Sequence, residues 1–273
     1  MGFESIIEKV NSLPPLPESV QEIQLLFAKG DPDIKKVVQI IEKDPILTAD
    51  ILGKVNAPFY GLRNNIVSLT QAITLFGAVT IRGFVYSSSA YRGFDIDMRP
   101  YGVSNARFKD LCNMQSALMF QWYMGIDVER AKSLIPIAFL LETGKVIIAQ
   151  ELLHSEYSEL FMESIQTTDS ISEVENEFAG ITTAGVNALL FEHWNFDREF
   201  IDSMRYLDEE GEIPPEVKPD IDALRIVRTC INIKEGISDA TITKAIAMAE
   251  KLQLRPELLE HAARRLMEKY GEQ

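Results

Sequence analysis

Two Asp-Pro pairs near the N-terminus restrict this chain more than any other feature it carries. Asp31-Pro32 precedes Ile34, Val37, Val38 and Ile41, and Asp44-Pro45 precedes Leu47, Ile51, Leu52 and Val55. These apolar residues recur every three or four positions, the period of one helix face. An aspartate at the N-cap accepts hydrogen bonds from first-turn amides that have no other partner. Proline suits the next position because its missing donor would be unpaired there anyway. Each pair therefore reads as a helix start.

The same punctuation continues down the chain. Ser68 followed by Gln71 has the spacing of a capping box, Ala72, Ile73, Leu75 and Phe76 supply an apolar face, and Gly77 is a stop. Helical spacing returns in residues 78–89, 104–124, 133–150, 155–166, 182–193, 197–208, 215–234, 238–252 and 256–270. The alternation that marks strands is absent or brief, so the expected fold class is all-α. Pro14, Pro15 and Pro17 interrupt the first amphipathic helix. The stretch from Glu209 to Pro219, with Gly211, Pro214 and Pro215, is the strongest linker candidate and sets off residues 211–273 as a C-terminal helical appendage.

Charge narrows the range of partners. The 27 basic and 41 acidic residues give a net charge of −14, which argues against nucleic acid, whose phosphates are bound through clustered Lys and Arg. The longest apolar run, residues 134–141, falls far short of the about 20 residues a membrane-spanning helix needs. The first residues lack the basic start of a signal peptide, so the expected location is cytoplasmic, with no membrane partner. Cys112 and Cys230 are far apart and have no neighbouring cysteine, and they read as two buried thiols. Residues 142–177 hold nine acids against one base, Lys145, a pattern read as a solvated face.

Four ordered blocks carry a resemblance. Leu13-Pro14-Pro15-Leu16-Pro17, Asp44-Pro45-Ile46-Leu47-Thr48, Asn56-Ala57-Pro58-Phe59-Tyr60-Gly61 and Ser68-Leu69-Thr70-Gln71-Ala72-Ile73 together resemble the HDOD family over residues 12–208. That family groups helical bacterial signalling modules related to the HD metal-dependent phosphohydrolases. The resemblance implies an HD-like helical bundle over 1–210, with an N-terminal helical part near 1–100 and a degenerate HD-like part near 101–210. Residues 138–145 lie where an HD enzyme carries His-Asp-x-Gly-Lys, and here Leu141-Glu142 replace His-Asp ahead of Thr143-Gly144-Lys145. Gln115 and Thr183 fall at two further histidine positions, and Leu207-Asp208 at a His-His pair.

The residues argue the same way without the family. A divalent ion of that kind needs imidazoles and carboxylates converging from several helices. The chain has three histidines, His154, His193 and His261, and none has another within one helical turn. His193 beside Trp194 reads as a packed or half-exposed side chain, and His154 as a surface one. Ser87-Ser88-Ser89 has no base beside it and reads as a small-residue helix face, and no phosphate-cradling glycine loop occurs. Phe59-Tyr60 has two readings, a core anchor or a partner-facing patch.

The expected function is a non-catalytic signalling module without a cofactor. It would act on a protein partner, with a possible small-molecule ligand in a hollow lined by Gln115, Glu142 and Thr183. The alternatives are a phosphohydrolase with a rebuilt oxygen-rich metal site, and a scaffold that docks a basic partner on the acidic stretch.

Overall fold

The computed structural model describes residues 2–30, 32–153, 155–209 and 211–270, so Asp31 and His154 lie outside the described residues. Among those described, the chain forms sixteen α-helices and two 3-10 turns and no strand, apart from an isolated bridge between Asn232 and Gly236.

The first six helices are α1 (Phe3–Ser12), α2 (Glu18–Phe27), α3 (Ile34–Glu42), α4 (Pro45–Val55), α5 (Leu69–Phe76) and α6 (Ala78–Arg92). The capping chemistry explains most of their boundaries. Asp44 accepts from the Leu47 amide at 2.9 Å, with Pro45 first in α4. At α3 the cap is Asp33, which accepts from the Lys35 amide, so Pro32 precedes the cap instead of following it. Ser68 caps α5 through the Gln71 amide, but the Gln71 side chain accepts from Val67, one residue earlier than a reciprocal box requires. Gly77, at φ +87°, ends α5 and begins α6, and a conformation there that other residues rarely adopt lets the two helices meet at 117°.

The central layer is α7 (Asn105–Tyr123), α8 (Val128–Leu140) and α9 (Thr143–Leu153). Residues 133–150, expected as one helix, break at Leu141-Glu142 into α8 and α9. Both helices are apolar on nearly every side because both are enclosed. Val128–Leu153 has the length and composition of a membrane span, yet 89% of its apolar window is buried by other helices. Pro136 sits inside α8 and leaves the Lys132 carbonyl without its helical donor; the Thr80 hydroxyl of α6 fills that role at 2.7 Å. One turn along α6, a Cβ on Gly83 would collide with the Pro136 ring, so glycine sets how closely α6 and α8 approach.

The remaining helices are α10 (Ser158–Thr167), α11 (Ile171–Ala179), α12 (Thr183–His193), α13 (Arg198–Arg205), α14 (Lys218–Cys230), α15 (Asp239–Leu252) and α16 (Pro256–Tyr270). The sequence reading did not anticipate α11. The N-terminal part packs on the rest of the bundle, with α1 against α9 and α12. The proline segment docks there too: the Trp194 indole donates to the Pro14 carbonyl at 3.2 Å, and a ring nitrogen of half-buried His193 lies 3.1 Å from the Leu13 carbonyl.

Residues 211–270 pack back on the bundle. The buried face of α14, Ile221, Leu224 and Val227, packs toward α7 and α8, and α16 lies along α7. The Trp122 indole donates to the Leu254 carbonyl at 3.1 Å. Arg225 reaches back to the carbonyls of Tyr206, Leu207 and Glu209, which ties down the proline-rich connection.

Candidate functional site

Lys145 lies one turn into α9, three residues after Glu142 in the break between α8 and α9. Its ammonium Nζ stands 3.0 Å from Glu142 Oε2, 2.9 Å from Glu175 Oε1 on α11, and 3.0 Å from the hydroxyl of Thr183 at the start of α12. Glu142, Lys145 and Glu175 are 1%, 4% and 1% exposed. Isolated charges at that depth would be prohibitively costly, and the cluster persists because its members are paired and hydrogen-bonded.

The surrounding groups hold both carboxylates. Glu175 accepts from the Thr183 amide and hydroxyl, each at 2.6 Å, and from the Tyr101 hydroxyl at 2.9 Å. Gln115 on α7 donates to Glu142 Oε1 at 2.9 Å and to the Ile231 carbonyl at 2.8 Å, which fixes the orientation of its amide and leaves Oε1 without a partner. Burial would raise the Glu142 pKa, but the Lys145 charge and the Gln115 donor outweigh it and hold the carboxyl below its ordinary range. Burial would likewise lower Lys145, and the two carboxylates reverse that and raise it.

Glycine is needed directly before this lysine. A Cβ on Gly144 would strike the Thr183 carbonyl oxygen, and the Gly144 amide donates to Asn187 Oδ1 at 2.6 Å. Asn187 in turn donates to the Leu141 carbonyl at 2.8 Å, so α12 clamps the break that presents Glu142.

The positions singled out in the sequence therefore divide. Gln115, Glu142 and Thr183 meet around Lys145. Asp208 lies apart, paired with Arg228 of α14, whose guanidinium outweighs burial and keeps the carboxyl low. Leu141 and Leu207 are buried apolar residues with no atom to offer a ligand. A cavity of about 400 Å³ opens in front of the cluster, walled by Glu142, Lys145, Glu175 and Arg228 and closed by Asn232 and Lys244 from the C-terminal segment. Gln115 and Thr183 stand behind this wall, so the expected lining is corrected at those two positions.

Other expectations are corrected by burial. Glu142 and Glu175 do not belong to a solvated acidic face. Phe59 and Tyr60, one reading of which was a partner surface, are core residues. Phe59 packs against the Tyr270 ring at 4.4 Å between centroids, and the Tyr60 hydroxyl pairs with Ser116 at 2.8 Å. Cys112 and Cys230 are free and buried, and burial pushes both thiols up to about 12.

The sequence reading missed Glu175, Tyr101 and Arg228. Glu175 carried a signal, since it sits four residues after Ile171 and three before Phe178, on the apolar face of α11.

The donor set does not fit a divalent metal. Glu142 and Glu175 already share an ammonium, Asp208 is paired with Arg228, and amide, hydroxyl and methyl groups stand at the other positions where the resemblance places imidazoles.

An all-α chain of this order, with the α8–α9 break at the centre of its polar cluster, defines an HD-like helical bundle. The HDOD domain family model matches residues 13–210, and the chain belongs to that family. The crystal structure of a virulence factor from Campylobacter jejuni subsp. jejuni is 27% identical, with a TM-score of 0.59, covering 95% of this chain and 96% of that one. A Marinobacter aquaeolei VT8 protein named for signal transduction is 19% identical with a TM-score of 0.69, covering 97% of this chain and 62% of that one, a likeness of fold. An uncharacterized protein of Treponema pallidum (strain Nichols) is 22% identical over 243 residues, which make up 85% of this chain and 44% of that protein. The chain thus spans less than half the length of that relative.

Proposed function

We propose that this chain is a non-catalytic regulatory module in which a lysine ammonium takes the place of a metal ion. It works by occupancy, relaying a state to a protein partner, with no turnover. The observation that carries this reading is the Lys145 ammonium within 3.0 Å of both Glu142 and Glu175. A metal-dependent phosphohydrolase needs a cation with an open coordination position, which polarises the phosphoryl group and lowers the pKa of a bound water. A tethered ammonium pairs with both carboxylates but offers no such position. The signalling name of the Marinobacter neighbour points in the same regulatory direction.

The test is turnover. Purified full-length chain supplied with Mn²⁺ should hydrolyse bis(p-nitrophenyl) phosphate and cyclic dinucleotides no faster than buffer containing Mn²⁺ alone. Hydrolysis that disappears in Glu142→Ala would refute the proposal.

A further inference from the structure

A second cavity, of about 560 Å³, lies where α4 and α6 meet α7 and α8. Its walls include the rings of Phe59, Tyr91, Phe108 and Phe139, together with Lys54 and Ser88. The Lys54 ammonium sits 4.0 Å from the centroid of the Phe139 ring. Among the described residues no carboxylate lies within 4.0 Å of it. Asp50, one turn earlier on α4, is paired instead with Arg92 at 3.3 Å. Ser88 is 4% exposed and its hydroxyl has no hydrogen-bond partner.

A half-buried cation without an ion-pair partner and a buried hydroxyl without a hydrogen-bond partner share one aromatic-walled cavity, and together they define what would satisfy them. We infer that this cavity binds a planar aromatic monocarboxylate, whose carboxylate accepts from Lys54 and Ser88 while its ring lies among Phe59, Phe108 and Phe139. A single negative charge fits better than a phosphate dianion because Asp50 and Asp110 also face the cavity. Lys109, Arg92 and the Cys112 thiol complete the charged and titratable groups around Lys54. Burial, opposed mainly by Asp50, lowers the Lys54 pKa to about 8, which leaves the ammonium available to a counter-charge at neutral pH. The Tyr91 hydroxyl bonds Thr143 at 3.0 Å, beside Glu142, so the cavity backs onto the Lys145 cluster. The inference stands whether or not that cluster is catalytically silent.

The probe is 2-naphthoate, followed by its fluorescence, with neutral 2-naphthamide as its isostere. Full-length wild type should bind one naphthoate per chain near neutral pH and bind the amide about tenfold or more weakly, the worth of a hydrogen bond to a charged group. Lys54→Met should lose about the same factor for naphthoate and none for the amide. Naphthoate that fails to saturate the wild type, or that binds no better than the amide, overturns the inference without any variant. Equal naphthoate affinity in a folded Lys54→Met chain overturns it as well.

Discussion

Lys145 Nζ on α9 and Glu175 Oε1 on α11 lie 2.9 Å apart, and neither side chain is more than 5% exposed. This pair joins the helix after the central break to a helix from the acidic stretch, and Glu142 and Thr183 complete the shell around the same ammonium. It ties the α8–α9 break, α11 and the start of α12 into one ion-paired unit.

Removing one partner leaves charge buried without compensation. Lys145→Met should cost about 3–5 kcal/mol, because two carboxylates then face each other in the interior. Lys145→Met combined with Glu175→Gln should recover part of that loss. Urea denaturation of the two variants checks both statements, and equal losses would show that the carboxylates do not depend on the ammonium.

The pH dependence follows from the directions of the shifts. Glu142 is lowered from 4.5, so its contribution is present above that value and lost as pH falls through the folded value. Lys145 is raised from 10.5, so its contribution is present below that value and lost as pH rises through the folded one. Lys54 behaves oppositely: lowered from 10.5 to about 8, it is protonated only in the unfolded chain between those values, and stability rises with pH there. The Cys112 and Cys230 thiols, raised by burial, pull the other way above their ordinary value, so the check is a difference: in chemical denaturation across that range the stability of wild type relative to Lys54→Met should rise with pH.

Two glycine substitutions separate packing from helix propensity. Gly53 in α4 has open space where a Cβ would stand, so Gly53→Ala should gain about 0.5–1 kcal/mol. Gly83→Ala offers the same propensity gain, but its methyl group would meet the Pro136 ring with Phe200 close behind. Overpacking of about 1–3 kcal/mol or more exceeds that gain and should lower the melting temperature. Thermal melts of the two variants should therefore move in opposite directions.

How much the sequence disclosed depends on the range of the physics involved. Caps and stops are local, so Asp44, Ser68 and Gly77 could be read directly. The position of Glu142 followed from its place in the resemblance, but its burial did not, because the nine acids of residues 142–177 look like a solvated run until the fold turns two of them inward. Phe59 was ambiguous because its partner, Tyr270, comes from the far end of the chain. The single base in the acidic run was the strongest unread hint: Lys145, three residues from Glu142, had the spacing of a helix pair.

Metal content tests the central claim most directly. Wild type and Lys145→Ala are each incubated with Mn²⁺, desalted, and measured by elemental mass spectrometry. Wild type should retain well under one ion per chain, with more retained by the variant, whose carboxylates have lost their ammonium. One tightly held ion per wild-type chain, lost in Glu142→Ala, would contradict the account.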